Sequence, residues 1–365
     1  MMLQIKETLV KSYQFSIEIV ENPLNIIKHL HIGTSIPIIP EFHSYILGDL
    51  NAYNGRAILL KENLRTDRFK RMTEEVVGIV LIYEDGSDTL FFGFFGVYDH
   101  SREKIECLAE ELIKYGRNNG YKKIRGPINV PTVIYGWGFM VEGSSKELFV
   151  GCPWNPPIYQ EVFIAKGFKV LFEEDRYRMV GLKFNPYKLK HQDGTPYDFS
   201  DYEIVNPGPE GMENCKEDFI RLHRYYMPPS ARITPKIANN FKNLVDFIFS
   251  YGNRYMMWMV YYKPTGEAIA CGYVIPNPFS KSRKGKWKDM WNSVSFHDWV
   301  VHPDHRRAGI AMLMYGHTAT LLMPPQGPGE WGSYPVGADN IANARMAQKM
   351  QGKKNRTHLI LQFEF

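Results

Sequence analysis

Apolar residues along the chain follow two rhythms. Dense runs such as Val76–Tyr83 and Leu90–Tyr98 read as buried strands, and strands are also predicted at Tyr13–Val20, Arg56–Leu60 and Lys122–Pro127. Farther along, the same pattern predicts strands at Tyr202–Asn206, Tyr255–Tyr262, Ala268–Ile275, Ser293–Val301, Gly332–Val336 and His358–Phe365. Apolar positions recurring with the helical period predict helices at Ser101–Asn119, Pro157–Lys166, Asn214–Tyr226, Pro235–Phe249, Ala308–Leu322 and Asn340–Met350. The fold class is therefore mixed α/β. Pro324–Gly329 is a loop, because its paired prolines cannot continue the preceding helix.

The pattern occurs twice. Glu18-Ile19-Val20-Glu21-Asn22-Pro23 resembles Glu203-Ile204-Val205-Asn206-Pro207, with Ile19 and Ile204 lying 185 residues apart. Lys166-Gly167-Phe168-Lys169 and Gln351-Gly352-Lys353-Lys354 share that offset of 185 residues, and a strand-like run follows each. A shared offset proposes a duplicated domain. A chain of 365 residues also exceeds the size at which one core stops growing. Two domains are expected, residues 1–184 and 201–365, joined by the polar, Gly- and Pro-bearing stretch Asn185–Ser200.

Composition narrows the function. A hydrophobic fraction of 44% can fill two cores, which argues against wholesale disorder. No apolar run approaches the roughly 20 residues that span a bilayer, and Met1–Glu7 lacks the apolar core of a signal peptide. Cys107, Cys152, Cys215 and Cys271 are widely scattered, the usage of a reducing cytoplasm. The net charge of +5 permits an anionic small ligand without pointing to nucleic acid, and the basic stretch Lys281–Lys288 reads as a solvated loop.

One turn concentrates the chemistry. The strand Ser293–Val301 ends in His302-Pro303-Asp304-His305-Arg306-Arg307-Ala308-Gly309, and a helix begins near Gly309. Helix starts offer free N–H groups and the positive end of a dipole, a glycine lets an anion approach the backbone, and two arginines add charge. This is an anion cradle suited to a pyrophosphate, or an ordinary strand-to-helix turn with arginines in solvent. His302 and His305 with His297 complete no familiar metal spacing. Gly86, Gly93 and Gly96 make no dinucleotide fingerprint.

Val300-Val301-His302-Pro303-Asp304-His305-Arg306-Arg307-Ala308-Gly309-Ile310-Ala311 resembles the acetyl-CoA motif of the GNAT acetyltransferase superfamily, in which V-x-P is followed by Q/R-x-x-G-x-G/A. Asn340–Gly352 resembles that superfamily's fourth helix. In the first half, Phe91–Gly96, Gly126–Asn129 and Pro153–Tyr159 resemble segments of tandem-GNAT proteins, but Asp99-His100-Ser101-Arg102 stands where the R-x-x-G-x-G would be. The resemblance implies two GNAT-like domains in tandem, each a central, mostly antiparallel sheet flanked by helices. The first is degenerate, shaping the acceptor pocket or holding the second half in place.

The resemblance further implies acetyl-CoA or another acyl-CoA as acyl donor. Its diphosphate would lie on the turn of Arg306, Arg307, Ala308, Gly309, Ile310 and Ala311, its pantetheine arm along Trp299, Val300 and Val301, with Asn343 contributing from the fourth helix. An amine of a small molecule or peptide would attack the thioester directly. His297 and Asp298 are the candidate bases, or else a structural histidine and a capping or solvated aspartate. The fourth-helix Tyr that often serves as acid is replaced by Gln348. Tyr225 and Tyr226 line the acceptor pocket or close a core. An N-acyltransferase and an acyl-CoA-binding protein without turnover both fit these residues.

Overall fold

The computed structural model describes residues 15–66, 71–143, 148–178, 188, 190–191, 193–226, 241–252, 254–277, 279, 294–322, 333–338, 340–349 and 352–365. Met1–Glu7, Met227–Ser230, the start of the helix predicted at Pro235, Lys281–Lys288 and Pro324–Gly329 lie outside the described residues. The first half runs β1 (Phe15–Val20), α1 (Pro23–Ile27), α2 (His43–Ala52), β2 (Arg56–Thr66), β3 (Arg71–Tyr83), β4 (Thr89–Val97), α3 (Arg102–Asn118), β5 (Lys123–Gly126), α4 (Thr132–Tyr135), β6 (Phe139–Gly143), α5 (Ile158–Ala165) and β7 (Lys169–Arg178). The second runs β8 (Tyr202–Val205), α6 (Gly208–Asn214), α7 (Lys216–Tyr226), α8 (Phe241–Tyr251), β9 (Met257–Tyr262), β10 (Glu267–Pro276), β11 (Val294–Val301), α9 (Ile310–Leu322), β12 (Ser333–Gly337), α10 (Ile341–Lys349) and β13 (Lys353–Glu364). No helix among the described residues is long and apolar enough to cross a membrane.

The two halves share an order of strands apart from β6, which has no counterpart among the described residues of the second half, and the likeness extends to irregularities. Strands β1 to β4 form an antiparallel series, as do β8 to β11. Register slips where Phe94 and Phe95 on β4 oppose the single residue Val80, and again where Asp298 and Trp299 on β11 oppose Gly272. A second slip leaves an extra residue at Val77 of β3 and at Ile269 of β10. A bulge bends its strand and re-aims its side chains, so both halves carry the same two bends. The Gly that each repeated motif places before its last strand, Gly167 or Gly352, leads directly into β7 or β13.

The halves do not close separately. Among the described residues one sheet has the order β1-β2-β3-β4-β5-β13-β7-β12 with β6 on β13, and the other is β11-β10-β9-β8. The last strand of the chain therefore pairs with β5 of the first half, while β7 pairs with β12 of the second. Each half lends its final strand to the other, and the two lent strands pair antiparallel in the middle.

Packing follows the apolar rhythm. On α3, Ile105, Leu108, Ala109 and Leu112 are buried at helical spacing against Phe95, Phe163 and their neighbours on one face of the large sheet. The other core spans both halves. Phe42 meets Tyr135, Phe247, Tyr251 and Phe279 edge-on, and Asn243 of α8 donates to Asp49 of α2 at 2.6 Å. Met256–Met259 is a fully buried stretch, as its strand pattern predicts. Helices α1 and α2 and strand β6 have no counterpart in the sequence-based prediction. Asn22 caps α1 by accepting from the Leu24 amide, with Pro23 in the first turn.

Candidate functional site

The bulge sets the chemistry of β11. In an unbroken strand, residues three apart face opposite sides. Here Phe296 and Trp299 share a side, with ring centroids 5.4 Å apart and both against Tyr315 of α9. His297 turns to the other side. Its ring stacks on Tyr273 at 5.9 Å and meets the edge of Trp137, from the first half, at 6.1 Å. It is buried, with Nε2 2.8 Å from Ser295 Oγ. A β-carbon on Gly151, also from the first half, would lie 3.5 Å from the same ring. The first half thus forms a wall around the candidate histidine. The side chain of Asp298 lies outside the described residues.

β11 is the edge of its sheet and β12 the edge of the other; they are neighbours, yet no strand pairing joins them among the described residues. Beyond β11, His302 caps a short turn by accepting from the Asp304 amide at 3.2 Å. Arg306 is exposed, and its guanidinium donates to the Val301 and Tyr226 carbonyls, each at 3.2 Å. It ties the turn to the end of α7. Arg307 is also exposed and takes φ +70°, while Gly309 takes φ +78°, so two left-handed residues open the backbone just before α9. Ile310 and Val300 are buried, anchoring the turn at both ends.

Two placements follow for the predicted acceptor residues. The Tyr226 ring lies 4.4 Å from that of His302, next to the turn, and Tyr225 is exposed with Arg224 over its ring. Tyr197, which no sequence signal marked, covers Gly309: a β-carbon there would be 2.7 Å from its Cδ1. The glycine does signal a close approach, though not what approaches.

The corresponding places in the first half are filled by the chain itself. Beside β4, the Ile128 amide donates to the Phe92 carbonyl at 2.7 Å, and Asn129 accepts from the Phe94 amide at 2.6 Å. At the start of α3, Asp99 accepts from the Ser101 amide at 3.1 Å and from Lys104 at 2.8 Å. Lys104 also reaches Glu62 at 2.8 Å. Burial opposes the charge on Lys104, but these two carboxylates outweigh it and raise its pKa. Asp99 is likewise opposed by burial, and its bonds from Lys104 and Ser101 hold its pKa low. A carboxylate thus stands at the start of α3, where the second half has the turn before α9.

This arrangement has close structural parallels. A tandem GNAT protein from the clavulanic acid biosynthesis pathway superposes with a TM-score of 0.56 over 96% of this chain and 98% of that one, at 13% identity. The chain has the tandem GNAT fold. A GCN5-related glucosamine N-acetyltransferase region of a fungal multi-domain β-N-acetylglucosaminidase superposes at 0.58 and 12% identity, over 97% of this chain and 38% of that one. A protein from Enterococcus faecalis V583, described as a probable N-acyltransferase, gives 0.52 at 8% identity, over 96% and 72% of the two chains. No protein-family model and no curated protein matches the sequence.

Helix α10 covers the stretch whose sequence resembles the superfamily's fourth helix. Asn340 caps it, accepting from the Asn343 amide at 3.2 Å, and Asn343 is half-buried. Gln348 is exposed near its far end. Ser295, Trp137 and Gly151 are the further residues around His297 that sequence reasoning missed. Two of them come from more than a hundred residues away, and the third is an unremarked neighbour on the strand.

Proposed function

We propose that the protein is an acyl-CoA-dependent N-acyltransferase, moving an acetyl or longer acyl group to an amine of a small molecule or peptide by direct attack. The observation that carries this reading is a contrast between the halves. The groove beside β4 and the anion position at α3 are filled by Asn129 and Asp99. By contrast, β11 has an unpaired edge among the described residues and a turn opened by two left-handed residues. Gly309 has no room for a β-carbon beside the Tyr197 ring and offers its backbone to close approach, which a diphosphate on backbone N–H groups requires.

In this reading Arg307, Ala308, Gly309, Ile310 and Ala311 hold the diphosphate, and the edge of Trp299, Val300 and Val301 lies along the pantetheine arm. Asn343 approaches the arm from α10. Acyl-CoA, when bound, supplies the activated thioester. The residues of β11 orient it, and a backbone donor at the Asp298–Trp299 bulge stabilises the developing oxyanion. His297 or Asp298 takes the amine's proton, and Tyr225 and Tyr226 contribute to the acceptor side.

A second reading, an acyl-CoA-binding protein without turnover, draws on two observations. His297 Nε2 is engaged by Ser295, and Gln348 stands at the position of the usual tyrosine acid. Native mass spectrometry of the purified protein tests the shared part, with co-purified CoA or an acyl derivative as the expected result. Amine-stimulated release of free thiol from acyl-CoA then separates the two.

A further inference from the structure

The stretch that connects the halves crosses the cradle. Lys190 and Pro196 form an isolated bridge, and the His191 amide donates to the Thr195 carbonyl at 2.8 Å. Asp193 accepts from the Thr195 amide at 2.9 Å and from its hydroxyl at 2.7 Å. This self-contained turn presents Tyr197, whose ring lies 3.8 Å from that of His191 and parallel to Phe199 at 5.9 Å. Downstream, Lys263 fixes the chain: its Nζ donates to the Ser200 carbonyl at 2.6 Å and its amide to the Asp201 carbonyl at 2.8 Å.

The ring of Tyr197 fills the space over Gly309, where a β-carbon would find Cδ1 at 2.7 Å and Cγ at 3.1 Å. That separation leaves no thickness for a phosphate between glycine and ring. Ring and diphosphate therefore exclude one another. The turn's own hydrogen bonds, His191 to Thr195 and Thr195 to Asp193, travel with it when the ring lifts. The Tyr202 amide, which donates to the Phe199 carbonyl at 3.0 Å, and the Lys263 anchor confine the motion to the residues before Phe199.

We propose that Asp193–Asp198 is an autoinhibitory strap: Tyr197 occupies the diphosphate position in the free protein, and acyl-CoA binds by displacing it. The inference rests on the acyl-CoA reading of the cradle. It makes the connection between the halves a regulator of cofactor entry, since whatever holds the strap down raises the apparent Kd in inverse proportion to the fraction of time the cradle is open.

Calorimetric titration of CoA into the full-length wild type, Tyr197→Ala and Tyr197→Phe tests this. Tyr197→Ala should bind about 3- to 10-fold more tightly, the gain expected when a mostly closed site becomes open. Tyr197→Phe keeps the ring and should match the wild type. Unchanged or weaker binding by Tyr197→Ala would overturn the strap while leaving the cradle intact, weaker binding identifying the ring as part of the bound site instead. Equal tightening by both variants would also count against ring packing. Binding by no form at millimolar CoA sinks the acyl-CoA reading, and the strap with it.

Discussion

Phe94 donates its backbone N–H to the side-chain oxygen of Asn129 across 2.6 Å, inside the first half. Phe94 holds φ +44° at the β4 bulge, a left-handed conformation unusual for an aromatic residue. Asn129 also donates to the Tyr135 carbonyl at 2.8 Å, so one amide satisfies two backbone groups. The equivalent bulge on β11 falls at Asp298 and Trp299. The same backbone device is closed by a side chain in one half, and in the other borders a sheet edge that no strand pairs among the described residues.

Asn129→Ala should therefore lower stability without touching the cradle. It strands a buried N–H and a buried carbonyl, for an expected loss of about 2–4 kcal/mol. Urea unfolding measures the loss. Affinity for CoA, titrated below the transition, should match the wild type; a large change there would mean that the first half contributes directly to the ligand site.

Arg307 and Gly309 should separate strain from binding. Arg307 is held at φ +70°, which costs a residue with a β-carbon about 1–2 kcal/mol. Arg307→Gly should leave the melting temperature unchanged or slightly higher, while weakening CoA about tenfold through loss of a charged contact. Gly309→Glu should abolish the CoA-induced rise in melting temperature, by filling the cradle and repelling phosphate. If Gly309→Glu still shifts normally with CoA, the diphosphate lies elsewhere.

Strand positions and the strand-to-helix turn at Arg306–Ala311 were legible because each rests on local pattern; the matched bulges, Phe94 with Asp298 and Val77 with Ile269, do not keep the 185-residue spacing of the sequence motifs. The lent strands were not. β13 reads as a strand in either sheet, and nothing in its sequence says that Leu361 will pair with Gly126 rather than with a residue of its own half. The surroundings of His297 were hidden for the same reason, since Trp137 and Gly151 reach it only through tertiary packing. Helix α2 escaped notice because the short spacing of Ile46 and Leu50 follows a Gly- and Pro-bearing stretch, and one buried position of its face, Asp49, is polar. Tyr197 lay in plain view, but a tyrosine in a polar linker carries no pattern.

His358 should make stability depend on pH between mild acidity and neutrality. It is fully buried on β13, with Nε2 2.9 Å from the Pro153 carbonyl. Burial, and then the nearby Arg176, push its pKa down to about 3 from an ordinary 6.5. A depressed histidine stabilises the fold while neutral, so its contribution is intact above pH 6.5 and is lost as pH falls from there toward 3. The loss approaches at most about 1.4 kcal/mol per pH unit. His358→Gln, which keeps a donor toward Pro153, should flatten the slope between pH 6 and 4 in chemical unfolding. A variant with the wild-type slope would place the acid sensitivity in other groups.

In the proposed acyltransferase, catalysis turns on β11. His297 and Asp298 are adjacent, and only one can face a thioester running along the strand edge. Replacing the true base, by His297→Ala or Asp298→Asn, should lower turnover about 10²-fold or more with CoA affinity nearly intact. The other substitution should do much less. Because His297 fills space between Tyr273 and Trp137, His297→Ala must be checked for a lowered melting temperature, and Ser295→Ala provides the gentler probe. The Ser295 hydroxyl lies 2.8 Å from Nε2. If His297 carries the proton, removing that hydroxyl should move the pH profile of turnover while leaving the fold and CoA binding alone. Small, equal effects in all three variants would leave catalysis to positioning of the two substrates. Should a broad panel of amines and amino acids release no thiol from acyl-CoA even with the wild type, the protein is a binder, and the engaged imidazole and Gln348 are the reason.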